Sequence, residues 1–379
     1  MKTVCDLNMC AGCMLCKDLC PQKAITIKDD YLYYNAIIDE NKCISCALCE
    51  NKCPQNQTPS FSTPFWYKQG WSNDEEQRKL SSSGGIAFEL MKSFLKSGGT
   101  VCSCLFRQGK FVFDFISSED EIHRLRGSKY VKSNPEGIYK KIKEKIANNE
   151  KVLFIGLPCQ AASVISYVGI SENLYTVDLI CHGTPSPNIL LEYLKQKKKS
   201  IECECDFSFR KQQEFRLIID GKPIEAGTQD NYTTAFLTSI TYTENCYSCR
   251  YARFDRVTDI TLGDSWDSDL SEVEVQKGIS LILCQTEKGI ALIENSNIKL
   301  FDVDIKRAVR ANHQLEHPSV APKHREYFLQ KVRNGKNFDL LMLKVSPQKG
   351  TQEHGQEIII FYAHQVDKAG EIWANQIQD

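Results

Sequence analysis

Eight cysteines near the N-terminus stand in two runs of the same spacing, which is typical of metal ligation. Both runs read C-x2-C-x2-C-x3-C, and a proline follows each directly. The first run consists of Cys10, Cys13, Cys16 and Cys20, and the second run consists of Cys43, Cys46, Cys49 and Cys53. Three thiolates on a tight loop can approach three iron atoms of one [4Fe-4S] cube, whereas the fourth cysteine points away and must serve a neighbouring cube.

The duplicated spacing resembles that of bacterial two-cluster ferredoxins, in which the last cysteine of each run ligates the cluster of the other run. This crossover predicts one ligand set of Cys10, Cys13, Cys16 and Cys53, and a second set of Cys43, Cys46, Cys49 and Cys20. Zinc or disulfides are the alternatives, but two complete four-cysteine runs, each followed by proline, favour two [4Fe-4S] clusters. Such a pair of clusters transfers single electrons, but its presence does not identify a substrate.

Four further cysteines predict a third ligand set. Cys159 and Cys181 follow two predicted buried strands, 151–155 and 175–180, and a predicted helix comes after each. The carboxyl ends of parallel strands meet at one edge of a sheet, so both thiols could face one site. The pair Cys246 and Cys249, spaced C-x2-C, would complete the ligands of a third [4Fe-4S] cluster. Buried core thiols and a zinc site are the alternatives.

The remaining cysteines carry weaker signals. Cys102, Cys104 and Cys284 lie in apolar, strand-like segments and are expected in the core. Either Cys203 or Cys205 could substitute for a cluster ligand, and no role is assigned to Cys5.

Two segments have the composition of anion-binding loops. Residues 81–85 (SSSGG) precede a helix predicted over 86–95, where amide groups could bind a cofactor phosphate; a plain serine cap is the alternative. Residues 127–130 (GSKY) form a predicted loop with a cation and an aromatic ring. His182 could carry a proton during reduction, because imidazole titrates near neutrality, or could be a structural hydrogen-bonding residue. His313, His317 and His324 are expected to be structural or exposed.

Seven short motifs occur in an order that resembles one known family. They are 81–85 (SSSGG), 127–131 (GSKYV), 153–160 (LFIGLPCQ), 178–183 (DLICHG), 209–211 (FRK), Cys246 with Cys249, and 259–264 (DITLGD). Together they resemble the coenzyme F420 hydrogenase/dehydrogenase beta-subunit family, in its form with a fused ferredoxin domain, over roughly residues 5–330. One departure is Lys211, which stands where an acidic residue is expected after Arg210.

The resemblance implies an iron–sulfur flavoprotein, in which a flavin, usually FAD, exchanges electrons with [4Fe-4S] clusters and a hydride with an organic acceptor. A flavin suits this task because it joins one-electron to two-electron chemistry. The resemblance also supports the third cluster and a phosphate site at Ser83, Gly84 and Gly85. It makes further candidate flavin or substrate contacts of Gly127, Ser128, Lys129, His182, Gly183, Ser186, Arg210 and Asp264. His182 is the one residue for which a catalytic role is expected.

Two domains must position these residues. Residues 1–58 are predicted to form an α+β ferredoxin-like domain with two clusters, followed by a linker over 59–80. An α/β flavin-binding domain, with a mixed sheet and flanking helices, is predicted in two parts, 81–147 and 148–318, the second part holding the third cluster. Strands are predicted at 65–71, 100–106 and 111–116. A helical extension and tail occupy 319–379, with a linker predicted at 346–351 and a strand at 357–362.

Composition and charge exclude some classes of partner. The 47 basic and 48 acidic residues nearly cancel, giving a net charge of −1 and no electrostatic reason to bind nucleic acid or an anionic membrane. There is no apolar run of about 18 residues, hence no predicted membrane span. The cysteine array begins too early to leave room for a signal peptide, so a cytoplasmic location is expected.

These observations predict an enzyme, an iron–sulfur flavin-dependent oxidoreductase. It would pass electrons between a ferredoxin or other redox protein, three clusters, FAD and an unidentified organic substrate. The alternatives are an electron-transfer subunit that docks on a separate catalytic partner, and a redox sensor or assembly module without turnover.

Overall fold

The fold is described from a computed structural model for residues 1–201, 206–227 and 229–345. The suggested ligands Cys203 and Cys205, the linker predicted at 346–351 and the strand predicted at 357–362 lie outside the described residues. Among the described helices, none combines the length and apolar character that a membrane crossing needs.

Strands in the described residues form three sheets. They are β1 (Lys2–Thr3), β2 (Ile25–Asp29), β3 (Tyr34–Ile38), β4 (Trp66–Ser72), β5 (Thr100–Arg107), β6 (Lys110–Ile116), β7 (Val152–Ile155), β8 (Leu174–Leu179), β9 (Phe207–Lys211), β10 (Glu214–Ile219), β11 (Lys222–Pro223), β12 (Ile260–Asp264), β13 (Ser280–Cys284) and β14 (Ile298–Phe301). The sheet orders are β1-β3-β2, β11-β10-β9 and β14-β4-β13-β12-β8-β7-β5-β6.

Helices cover the sheets and lead into the loops that carry the candidate residues. They are α1 (Leu15–Leu19), α2 (Leu48–Asn51), α3 (Glu75–Lys79), α4 (Ile86–Lys96), α5 (Ile138–Ala147), α6 (Pro158–Val168), α7 (Pro187–Gln196), α8 (Asn231–Leu237), α9 (Glu272–Gln276), α10 (Glu287–Glu294), α11 (Ile305–Ala311), α12 (Arg325–Arg333) and α13 (Phe338–Val345). Short 3-10 helices span Glu119–Leu125, Glu244–Ser248 and His313–Leu315.

The eight-stranded sheet is mixed, as the sequence predicts. Its central strands β12, β8, β7 and β5 run parallel, and antiparallel strands flank them on both sides. The parallel strands therefore place their carboxyl ends, and the loops after them, at one edge. Cys159, Cys181 and Asp264 lie at this edge, after β7, after β8 and at the end of β12.

Both faces of the central sheet are buried, which explains why its parallel strands read as continuous apolar runs. Leu153 and Val177 pack with α4 on one face. Phe154, the next residue along β7, packs with Tyr139 of α5 and Val164 of α6 on the other face. This alternation follows from the two-residue period of a strand.

The N-terminal domain is hydrogen-bonded to the α/β domain through Asp29, at the end of β2. One oxygen of its carboxylate, Oδ2, accepts hydrogen bonds from the Tyr34 hydroxyl at 2.9 Å, the Ser186 hydroxyl at 2.5 Å and the Asn188 amide at 3.0 Å. Ser186 also caps α7, because its oxygen accepts the backbone N–H of Asn188 at 3.1 Å. The two domains are thus joined by polar contacts at the start of α7.

The segment 59–80, predicted as a linker between domains, contains the strand predicted at 65–71. This segment contains α3 and also β4, which pairs with both β13 and β14 inside the large sheet. The strand β4 forms because both of its edges are paired, although the residues just before it have a loop-like composition. The helix predicted over 86–95 and the strands predicted near 100–106, 111–116 and 151–155 are confirmed as α4, β5, β6 and β7.

Candidate functional site

The two cysteine runs fold into loops of matching shape. Residues 12 and 14 of the first loop have φ of 67° and 61°, and residues 45 and 47 of the second loop have φ of 55° and 56°. In each loop a backbone N–H donates to the first thiol of the run, from Gly12 to Cys10 and from Ser45 to Cys43, both at 3.4 Å. The left-handed turns wrap each loop around a cavity.

Each cavity is lined by four thiols of the two runs, three from one run and one from the other. One cavity is lined by Cys10, Cys13, Cys16 and Cys53, together with Cys5. The other is lined by Cys20, Cys43, Cys46 and Cys49. These are the two sets that the crossover predicts. The second cavity reaches the surface, because Cys46 is exposed while Cys10, Cys16 and Cys53 are buried.

Burial and mutual repulsion oppose ionisation in the first cavity. Burial, followed by the neighbouring Cys10 and Cys53 thiolates, raises the pKa of Cys13 to about 12. A hydrogen bond from Cys5 has the opposite effect on Cys53 and lowers its pKa to about 7. Four crowded thiolates require a cationic core to balance them, so the donor set fits an iron–sulfur cluster.

The four cysteines of the predicted third set converge from three separate segments. Burial raises the pKa of Cys181 to about 12, with Cys246 and Cys249 as the next causes. Burial also raises the pKa of Cys159, and its charged neighbours include Cys249, Cys181 and Cys13 of the first run. The third set therefore lies beside the first cavity.

Packing of the loop after β8 brings these thiols together. Gly183 has φ of 144°, and a Cβ atom there would lie 2.3 Å from the Tyr242 ring, so only glycine fits. The backbone N–H of Thr243 donates to the carbonyl of Thr184 at 3.1 Å, which ties the segment of Cys246 to the segment of Cys181.

None of the sixteen cysteines in the described residues forms a disulfide. In the same residues, no group of three or more His, Cys, Asp or Glu side chains has the arrangement of a single-ion metal site. A cubane differs from a single-ion site, because each of its four cysteines binds a separate iron atom.

The loop at 81–85 contacts the sheet as well as the predicted second loop. The backbone N–H of Gly84 donates to Ser280 Oγ at 3.0 Å, and Ser83 Oγ donates to the carbonyl of Ile279 at 3.1 Å. Gly85 is the N-cap residue of α4, with φ of 86°. The predicted phosphate site is therefore partly occupied by hydrogen bonds within the protein.

The second predicted loop lies against the first, because the backbone N–H of Ser128 donates to Ser82 Oγ at 3.0 Å. Gly127, with φ of 83°, precedes it. The Lys129 ammonium donates to the carbonyls of Leu125 and Arg126 at 2.7 and 2.9 Å, and burial lowers its pKa. The two loops share one region, although the Lys129 charge is turned toward backbone.

Arg210 and Asp264, both predicted contacts, form an ion pair with each other. The guanidinium donates two hydrogen bonds to the carboxylate, at 2.6 and 2.9 Å, and its Cζ atom lies 4.3 Å from the Phe215 ring centre. The Asp264 charge helps to keep the pKa of Arg210 above its usual value, against the opposing effect of burial. The charges neutralise each other near His182.

His182 lies beside this pair and is exposed to solvent, with protein packed around part of its ring. The loss of water on that side lowers the pKa of His182 below its usual value, and the exposed side limits this effect. The Gln314 amide nitrogen lies 2.8 Å from His182 Nδ1 and 2.7 Å from His313 Nε2. Burial lowers the pKa of His313 to about 3. Both imidazoles are therefore neutral near pH 7.

Sequence reasoning missed three residues near the predicted loops and His182. His313 was expected to be structural or exposed, and Gln314 had no motif, yet both contact His182 or its partner. Arg126 precedes the second loop and has a buried Nε atom without a hydrogen-bond partner in the described residues. Only the position of Arg126 beside the GSKY motif could have drawn attention to it.

Family models cover most of the chain. Residues 9–57 match the 4Fe-4S dicluster domain, which supports two [4Fe-4S] clusters. Two further models describe the N-terminal and C-terminal parts of the coenzyme F420 hydrogenase/dehydrogenase beta subunit. Residues 67–136 match the N-terminal model, and residues 149–303 match the C-terminal model.

A search of curated proteins finds no match. Among solved structures, the chain is similar to a chain of the F420-reducing [NiFe] hydrogenase complex from Methanosarcina barkeri, with 16% identity and a TM-score of 0.42, over 76% of this chain and 93% of that chain. The N-terminal and C-terminal models describe one family of oxidoreductase subunits and together match more than half of the residues. The chain therefore belongs to the coenzyme F420 hydrogenase/dehydrogenase beta-subunit family.

Proposed function

We propose that this protein is an iron–sulfur flavoprotein oxidoreductase with three [4Fe-4S] clusters and FAD. It takes electrons from a ferredoxin or other redox protein and exchanges a hydride with an organic acceptor whose identity is open. The clusters supply one-electron transfer and the flavin links it to two-electron chemistry when each is bound. Cysteines from both N-terminal runs and from the third set are the proposed cluster ligands.

The convergence of the third set on the first cavity is the observation that carries the proposal. Cys159 and Cys181 leave the ends of neighbouring parallel strands, and Cys159 lies near Cys13 of the first run. Four thiols in one place, of which Cys246 is buried and the others are half-buried, with no disulfide among them, suit a cluster better than a packed core.

The order of the sites supports an electron path that joins the surface to the interior, in either direction. Cys46 gives the second cavity an exposed position suited to docking a redox protein. Cys16 of the first cavity lies near Cys49 of the second, and Cys13 lies near Cys159 of the third set. His182 follows Cys181 directly, so the proposed acceptor site lies beyond the third cluster.

His182 is proposed to hydrogen-bond the acceptor. With the Gln314 carboxamide oriented as in this structure, its N–H group donates to His182 Nδ1. The ring proton of neutral His182 is then held on Nε2, from which it can donate a hydrogen bond to an acceptor, whereas releasing that proton would leave an imidazolate that does not form near pH 7. Its lowered pKa keeps the ring neutral at physiological pH.

The proposed flavin contacts differ in how freely they could bind. Ser82 and Ser128 join the two predicted loops, and the unpaired Arg126 Nε lies beside them, which supports an anionic group there. Ser186, in contrast, is fully buried in the contact with Asp29, which favours a structural role for it.

Anaerobic purification with iron, sulfide and flavin analysis tests this function. Three clusters predict about 12 iron atoms per chain, and the Cys159→Ser variant is expected to retain about 8. Cys284→Ala is a matched control, since Cys284 is buried in β13 and should leave the iron content unchanged. Wild-type protein with about 8 iron atoms would contradict the third cluster, and three clusters without flavin would favour the electron-transfer subunit.

A further inference from the structure

Lys132 is a buried cation that lacks a carboxylate partner. The residue is 5% exposed, and its ammonium donates to the backbone carbonyl of Ala11 at 3.1 Å. The ammonium also lies 5.2 Å from the centre of the Tyr34 ring. Within the described ranges it forms no ion pair. A buried ammonium is costly unless negative charge compensates it.

The side chain of Lys132 bridges two of the proposed cluster sites. Its Cδ atom packs against the first cysteine loop, since a Cβ on Gly12 would lie 3.0 Å from it. Its backbone N–H donates at 3.0 Å to the carbonyl of Pro185, four residues after Cys181. The lysine therefore fills the space between the first loop and the loop that follows β8.

The negative groups that this ammonium faces are cysteine sulfurs. Its ammonium is held by the carbonyl of Ala11, directly after Cys10 of the first set, and it lies close enough to Cys10, Cys159 and Cys181 to interact with each of them electrostatically. Four thiolates outweigh the charge of an oxidised [4Fe-4S] core, so a cysteine-ligated cluster is anionic, and reduction adds one more negative charge.

We propose that Lys132 is the shared counter-cation of the first and third clusters and raises the reduction potential of both. The part that concerns the third cluster rests on the proposed function, whereas the part that concerns the first cluster needs only the N-terminal cysteine runs. A positive charge in a poorly solvated position favours the reduced, more negative state. One lysine between two sites shifts both potentials in the same direction and preserves the driving force between them.

Redox titration of the anaerobic, cluster-loaded protein, followed by electron paramagnetic resonance, tests the proposal. Lys132→Met removes the charge and keeps the chain length. The midpoint potentials of two clusters should each fall by about 59 mV, which for one electron is a tenfold change in the ratio of reduced to oxidised cluster. Lys132→Arg should stay near wild type. Lys140→Met, at an exposed site, makes the same change in net charge and should shift nothing.

Each outcome decides the proposal. Unchanged potentials in a loaded Lys132→Met protein would overturn it. If Lys132→Met does not load iron but Lys132→Arg loads it and has wild-type potentials, the result supports a requirement for the positive charge. If neither variant loads iron, the residue has a purely steric role and the proposal is overturned.

Failure of the proposed function remains distinguishable. With about 8 iron atoms per chain, the third cluster is absent, and a lowered potential of one N-terminal cluster still supports the role of Lys132 there.

Discussion

Breaking the Arg210–Asp264 pair tests whether these two predicted contacts hold the fold. The side chains are 4% and 20% exposed, and two hydrogen bonds join them. Losing one partner of a fully buried pair costs about 3–5 kcal/mol, and water can reach Asp264 in part. Arg210→Met should therefore reduce the free energy of unfolding by about 2 kcal/mol. Asp264→Asn, which leaves the buried guanidinium, should cost about 3 kcal/mol.

The double variant gives the decisive value. It leaves no buried charge without a partner and should lower the free energy of unfolding by only about 3 kcal/mol. Because the two single effects add to about 5 kcal/mol, the coupling energy between the side chains is about 2 kcal/mol. Anaerobic urea unfolding of the cluster-loaded protein measures these values through cluster absorbance and tryptophan fluorescence. Trp266 lies 5.4 Å from the guanidinium and reports on the pair directly. Additive single effects, within about 0.5 kcal/mol, would refute the coupling.

Two further changes have expected outcomes. The pKa of His313 is about 3, below the ordinary value of 6.5, so unfolded chains bind the proton first, and stability is lost as pH falls from 7 toward 5. His313→Asn should reduce that loss by about 1–2 kcal/mol, measured as the free energy of unfolding in anaerobic urea titrations at both pH values. An unchanged difference in free energy of unfolding between the two pH values would contradict this expectation. Gly84→Ala should cost about 3 kcal/mol in thermal or urea unfolding, because its Cβ would lie 2.4 Å from the Gly70 carbonyl. Gly127→Ala, which meets no atom within 4 Å, should cost about 1 kcal/mol from its backbone conformation alone, and equal losses would argue against the clash.

Local spacing explains what could be predicted from the sequence. The crossover of the two cysteine runs depends on loops of a few residues, so the repeated motif was enough to predict which thiols line each cavity. The positions of Cys159 and Cys181 followed from the rule that parallel strands end at one edge. The hydrogen bonds of Gly84 and Lys129 could not be predicted, because they depend on which backbone groups pack against the loops.

Long-range packing placed the residues that sequence patterns missed. Gln314 lies more than a hundred positions after His182, and no local pattern joins the two. Lys132 looks like one more surface lysine in a basic stretch, and only the meeting of the first cysteine loop with the loop after β8 buries it. The partners of β4 lie some 200 residues away, so its place in the large sheet could not be predicted from local patterns either.

The contact through Asp29 has a kinetic consequence. A free electron carrier must diffuse to its acceptor, so the rate of delivery depends on its concentration. Here the carrier domain is covalently attached and held by hydrogen bonds to Asp29, so its local concentration is fixed by geometry. Electron arrival at the inner sites should therefore be independent of dilution, and only the first encounter, at the face near Cys46, should depend on the supply of an external donor.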